Sequence, residues 1–439
     1  MIEKYQYNFS NVLIILPNKR AIIFLLEALK RNSNQPFFAP KIINIQTFFQ
    51  DVSQLDTIDN INLLFELYNA YCEIQDSKNS QTFIEFSNWG KTALSDFNEI
   101  DNYLIDAVSI LNYLKDIERL KKWELNSDNS LKPLEFLKFW ELLPQYYHKL
   151  KSNLLQKKLG YNGLINRIAS EKIESYVKDN NNLEFIFAGF NALNKCEELV
   201  FKFLLKENKA QVYWDTDETI LNDPYHHAGL HLRKIKNNWS YYKTHPFQFI
   251  FDNFKQKKNI NIISTSQNIG QAKIAGQLLE NLVYNNVDVS KTAVILGNEE
   301  LLLPLLNELP NSLNSLNITM GYSVVYTTFH HLILNIFKLH LNSIKRNESN
   351  PVFYYKEVLT ILNDPNVFSL VNDNAFEKQI NQNNYTFFGF KTLVSLSKEN
   401  DFLDLIFMSN IEKNAFNFIS MLIQLVEKIK FNIDSKEDN

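Results

Sequence analysis

Four residues near the start of the chain have the type and placement for phosphate chemistry. Pro17-Asn18-Lys19-Arg20 stands between an apolar run, Val12 to Leu16, and a helical pattern over about 19–31. Two adjacent cations in a helical first turn, beside the end of a buried strand, are placed to touch a phosphate. The alternative reading is two solvated charges, and it outweighs the first because lysine and arginine are mostly exposed in any case. A nucleotide cradle is excluded. Its G-x-x-x-x-G-K-S/T loop needs glycines to turn successive N–H groups inward. The first glycine of the chain is Gly90, and no two glycines stand five apart before a lysine. Pro17 also removes a backbone donor. The magnesium-holding acid is missing as well: "LEFIFAGF" (183–190), the natural neighbouring strand, ends in Ala188, Gly189 and Phe190.

Three other groups have residue types suited to chemistry. His227 and His231 are four apart in "PYHHAGLHLRK", a spacing that can chelate zinc, with Asp223 or His226 as a third ligand. The zinc-protease pattern needs Glu directly after the first His, and Ala228 stands there. Capping and packing explain these histidines better. Asp96, Glu99, Asp101 and Asp106 crowd "SDFNEIDNYLID". Paired carboxylates can run acid–base catalysis, but no Lys or His flanks them, so a solvated helix face is the favoured reading. D-x-K occurs at Asp76–Lys78 and Asp434–Lys436, both in sequence that reads as polar loop or tail, and no Pro is followed by Asp. Neither is a nuclease metal site.

These residues need a scaffold of more than one core. The chain has 439 residues, 45% hydrophobic and 13% aromatic, with a formal net charge of −4. A free-standing nucleic-acid binder carries a basic excess, so any such contact here must be a local groove or shared with a partner. Cys72 and Cys196 are too few for a disulfide framework and fit a reducing compartment. No leader and no run of 18 apolar residues occurs, so a cytoplasmic protein without membrane contact is expected.

Strands over 12–16, 183–190 and 210–217 alternate with helices, as do strands over 259–266, 291–297 and 317–323. Such alternation predicts parallel sheets covered on both faces. Between the strand over 12–16 and the strand over 183–190 lies a block of long amphipathic patterns, about 59–180. The expected fold is therefore α/β, with two parallel-sheet domains, 1–258 and 259–439, the first carrying a large all-helical insertion and the second followed by helices.

Several segments, in order, resemble the N-terminal part of bacterial AddB-like proteins of the PD-(D/E)XK nuclease family. They are "VLIILPNKRA", "WGKTALSDFNEIDNYLIDA", "FIFAGFNALNKCEELVFKFL", "VYWDTDE", "HHAGLHLR", "GQAKIAGQLL" and "NITMGYSVVYTTFHHLILNIFKL". The resemblance implies two RecA-like domains of the superfamily 1 helicase kind, with the phosphate loop replaced by a P-N-K/R-R turn and no cofactor. It implies a role in DNA-end processing during double-strand break repair, beside a helicase-nuclease partner subunit. The family's nuclease half, with its D…(D/E)-x-K site, is expected to lie outside this chain. By the same resemblance Thr47 and Phe48, in "IQTFF", join Lys19 and Arg20 as candidates for DNA contact. Thr319 and Tyr322, in "NITMGY", are candidates for DNA or domain-interface contact, with simple packing an equal reading. The rival class is a protein-interaction module with no DNA role.

Overall fold

The computed structural model describes residues 5, 7–75, 81–114, 116, 132–248, 250–313, 315–321, 323–346, 352–371, 378, 382–383, 385–389, 392, 405–407 and 415–437, without the side chains of 132–140, 369–371 and 432–437. It divides into two compact units, Met1–Ile260 and Asn261–Asn439.

The first unit is built on a four-stranded parallel sheet. Its strands are β1 (Val12–Leu16), β2 (Lys41–Asn44), β3 (Glu184–Ala188) and β4 (Ala210–Tyr213), in the order β2-β1-β3-β4. Ile14 lies opposite Ile42 on one side and Ile186 on the other. All five residues of β1 are buried, as expected for a central strand covered on both faces. The period-two alternation divides its side chains between two layers. Leu13 and Ile15, with Phe185 and Phe187, face the larger core. Val12, Ile14 and Leu16, with Ile186 and Phe9, face helix α1 (Lys19–Arg31).

The helices between β2 and β3 include α2 (Ile45–Ser53), α3 (Asn60–Ile74), α4 (Phe83–Asn102), α5 (Lys132–Gln156) and α6 (Asn162–Asp179). Their starts carry ordinary capping signals. Asp59 accepts the N–H groups of Ile61 and Asn62, and Thr82 forms a capping box with Glu85. These helices have no core of their own. Phe48, Leu67, Phe97, Tyr146 and Leu164 share one continuous cluster with Phe185 and Phe187 of the sheet. Helix α6 approaches α4 so closely that a Cβ on Gly163 would stand 2.3 Å from the Asn98 carbonyl oxygen. Only glycine allows that crossing.

After β3 come α7 (Lys195–Lys206), β4, α8 (Glu218–Asn222) and α9 (Leu230–Asn238). The expected strand over 210–217 is two pieces. Trp214 turns its ring into the core and donates to the Tyr242 hydroxyl at 2.7 Å. Thr216–Asp217 then pairs with Ile250–Phe251 instead of continuing in the sheet.

The second unit differs more from expectation. It contains α10 (Asn268–Tyr284), α11 (Leu302–Asn307), α12 (Thr328–Arg346), β5 (Val352–Tyr354), α13 (Tyr355–Leu362), α14 (Pro365–Val371), β6 (Phe387–Gly389) and α15 (Ala415–Glu437). Strands β5 and β6 form an antiparallel pair. They share a core with α12 and α15 through Leu332, Ile336, Phe353, Phe388, Met421 and Leu425. No parallel sheet forms over 259–321 among the described residues, and Ile262 and Ile295 are 94% and 90% exposed. Helix α10 instead packs on α11. Its buried side, Ala272, Gly276 and Leu279, is used against the end of α11, where a Cβ on Gly276 would meet the Glu308 carbonyl oxygen. Asp434–Lys436, read as tail sequence, is helical within α15, and Asp76–Lys78 lies outside the described residues.

Candidate functional site at the carboxyl edge of the first sheet

In an open parallel sheet, ligands bind outside the carboxyl ends of the strands, where the order reverses. Here the chain steps from β1 to β2 and then returns to the far side of β1 as β3, so the crevice lies between the ends of β1 and β3. The connection from β1 to α1 is two residues, Pro17 and Asn18. Asn18 is extended (φ −149°, ψ 163°), and its Oδ1 accepts the Ala21 N–H at 2.9 Å. A donor that would face phosphate in a nucleotide cradle is thus bonded within the turn. The neighbouring strand β3 ends at Ala188, followed by Gly189 in the left-handed region at φ +77°. No carboxylate stands there to grip magnesium.

Lys19 and Arg20 are exposed at the first turn of α1, and neither has an ion-pair partner among the described residues. The next strand end repeats the closing device: Asn44 accepts both the N–H and the hydroxyl of Thr47, at 3.1 and 2.6 Å. Thr47 is therefore half-buried and engaged. Phe48 corrects the sequence reading. It is 0% exposed, with its ring against Phe185, Phe187 and Tyr176, so it offers no face for a base to stack on. Burying such a ring contributes about 2–3 kcal/mol to folding, and the helical period put it on the core side of α2. Thr319 is exposed in the second unit, lining an apolar cavity of ≈ 510 Å³ with Leu279, Leu305 and Ile318. Tyr322 lies outside the described residues.

The acidic group over 96–106 is dispersed. Asp96 and Glu99 are exposed, and Asp106 accepts the Ser109 N–H at 2.7 Å as a helix cap. Asp101 is fully buried. Its carboxylate accepts from Tyr147 Oη at 2.6 Å, Tyr161 Oη at 2.5 Å and Arg167 Nε at 2.6 Å. The same guanidinium donates to the carbonyls of Ile100 and Ile105. Burial, reinforced by the Asp101 charge, pushes both phenols well above their ordinary value, so they remain donors. Burial also pushes the Cys196 thiol, beside this knot, up to about 12, which makes it inert. The knot ties α4, α5 and α6 together and has no vacancy for a substrate. Sequence reasoning missed it because its partners are far apart in the chain.

The histidines do not assemble a metal site: no group of three potential ligands occurs among the described residues. His227 lies in a short 3-10 turn, while His231 points with Lys234 and Asn238 into a small cleft beside Lys195 and Glu198. Burial raises the Glu198 carboxyl, but the Lys195 and Lys202 ammonium groups outweigh it and hold the acid below its usual value. Asn18 and Asn44 had a readable signal, an Asn directly before a helical pattern. The cleft had none, since α7 and α9 are separated by a strand and a long connection. Among the described residues no helix is long and apolar enough to cross a membrane. Comparison with protein-family models and with curated proteins finds no match to this chain.

Proposed function

We propose that this chain is a helicase-like scaffold without a working nucleotide site, of the AddB-like kind, that holds DNA while a partner subunit or a further domain does the cutting. The observation that carries it is the closed β1–α1 turn on a parallel sheet, with Asn18 as cap and Gly189 where an acid is needed. A nucleotide-binding architecture that has lost both phosphate cradle and metal grip retains a use as a platform. Lys19 and Arg20, unpaired at that edge, supply the phosphate contact. The test is fluorescence anisotropy with single-stranded and forked DNA over a salt series. Binding that weakens linearly in log–log form is expected. Replacing Lys19 and Arg20 together by Gln should lower the slope by about two, one for each lost cation. Absence of binding at low salt sinks the DNA role, and micromolar affinity for ATP sinks the inactive-site reading.

One observation favours a protein-interaction module instead. Helix α12 exposes Leu334, Phe337, Leu341 and Ile344 at spacings of three, four and three. Helix α15 exposes Ile419, Ile423 and Val426, and Phe337 meets Phe418 at 4.8 Å between them. Apolar stripes of this period take a partner helix. A partner held at high salt, with DNA binding absent, would select this reading.

A further inference from the structure

A small cleft lies beside α7. Its volume is ≈ 170 Å³, below the size of pockets that take a whole nucleotide and suited to one compact group. Lys195 opens α7, which follows the carboxyl end of β3, and His231, Lys234 and Asn238 line up at i, i+3 and i+7 on α9. The backbone at the start of α7 is not the binding element, because Asn194 and Glu197 close it as a capping box. Side chains must do the work.

The one acid in the cleft is already engaged. Glu198 accepts from Lys195 at 2.8 Å, from Lys202 at 2.5 Å and from the Trp239 indole at 3.1 Å. Lys234 has no ion-pair partner and His231 no hydrogen bond among the described residues. Two lining lysines, Lys195 and Lys234, against one carboxylate that Lys202 also pairs from outside the lining leave the cleft positive in a chain whose formal net charge is −4. No arginine lines it, so an anion here is held by lysine ammonium groups as point charges, a mode that suits a tetrahedral phosphate.

We propose that this cleft binds a single phosphate group, held by the Lys234 and Lys195 ammonium groups and the Asn238 amide. The phosphate is either free, as inorganic phosphate or a monoester, or part of a nucleic-acid strand. The site does not rest on the scaffold reading above, since inorganic phosphate alone tests it. Calorimetric titration of the full chain with sodium phosphate, against sodium chloride at matched ionic strength, should give saturable binding. Lys234→Gln, at an exposed position, should weaken it about tenfold or more. Lys206→Gln, an exposed lysine outside the cleft, should leave it unchanged. Absence of saturable phosphate binding overturns the proposal, as does a Lys234→Gln affinity equal to that of the unaltered chain. An oligonucleotide displaced by phosphate assigns the group to a strand. Phosphate binding without such displacement assigns it to free phosphate, which supports the cleft and removes it from any DNA role.

Discussion

Replacing Asp101 by Ala should destabilise the first unit by about 4 kcal/mol. The carboxylate is 0% exposed and has three donors within 2.6 Å. Its ion-pair partner Arg167 keeps only 15% of its side-chain surface in water. Removing one member of a buried pair costs about 3–5 kcal/mol, because the other charge is left uncompensated. The stranded phenols of Tyr147 and Tyr161 add to this, each by about 1 kcal/mol or more where water does not reach it. The bonds from Arg167 to the Ile100 and Ile105 carbonyls survive and limit the loss. A unit of this size shifts its melting point by roughly 2–4 °C per kcal/mol, so a fall of about 10 °C is expected. Tryptophan fluorescence during urea unfolding is a clean assay, because all five tryptophans, at 89, 123, 140, 214 and 239, lie in the first unit. The decisive comparison is the double variant with Arg167→Met. If the pair acts as one knot, the double variant costs little more than either single, a coupling of about 2–3 kcal/mol. A single loss under about 1 kcal/mol, or strictly additive losses, would refute the reasoning.

Two further outcomes follow from capping and burial. In the second unit His340 is buried with Nε2 2.8 Å from the Ile406 carbonyl oxygen, and burial lowers it from 6.5 to about 4. The unfolded imidazole takes a proton below about 6.5 while the folded one stays neutral, so stability is complete above that pH. It falls as pH drops toward 4, by up to about 3 kcal/mol. Hydrogen exchange of α12 amides between pH 7 and 4.5 reads this loss, and His340→Gln should flatten the dependence. Asn18→Ala should cost the first unit about 1 kcal/mol through the lost cap, read by the same tryptophan unfolding. It should create no ATP affinity in calorimetry, since the two-residue turn stays too short to surround a phosphate.

The parts of this fold that were legible in the sequence are those decided locally. Val12–Leu16 reads as a central strand because nothing but apolar side chains can fill a site covered on both faces. Lys19–Arg31 reads as a helix because its period and the preceding Asn agree. The strands expected over 259–321 have equally apolar runs, yet a strand exists only with a ladder partner and a covering layer. Whether α10 covers a sheet or packs on α11 is a tertiary choice that the local pattern does not carry; in the fold Gly276 meets Glu308. Phe48 shows the same limit at one residue. A pattern places an aromatic ring on a helix, but only the neighbouring sheet decides whether it meets solvent. Asp101 is the extreme case. It is one of four acids in a short stretch, and its role depends on Arg167, 66 residues on.

The caps at Asn18 and Asn44 also change the kind of binding this edge can support. A glycine-rich cradle fixes phosphate with rigid backbone N–H groups and the helix end, which gives tight, geometrically defined capture. Here those donors are satisfied internally at two adjacent strand ends. What remains is side-chain charge: Lys19 and Arg20 at one turn, Lys195 and Lys234 in the cleft. Ammonium groups on flexible stems hold phosphate as point charges, with high salt sensitivity and no demand on base or sugar. An edge of this chemistry suits a strand that must be held without being read and released without hydrolysis. A nucleotide to be bound and split needs the opposite; the scaffold reading rests on Lys19 and Arg20 and the phosphate cleft on Lys195 and Lys234, so the two fail in separate experiments.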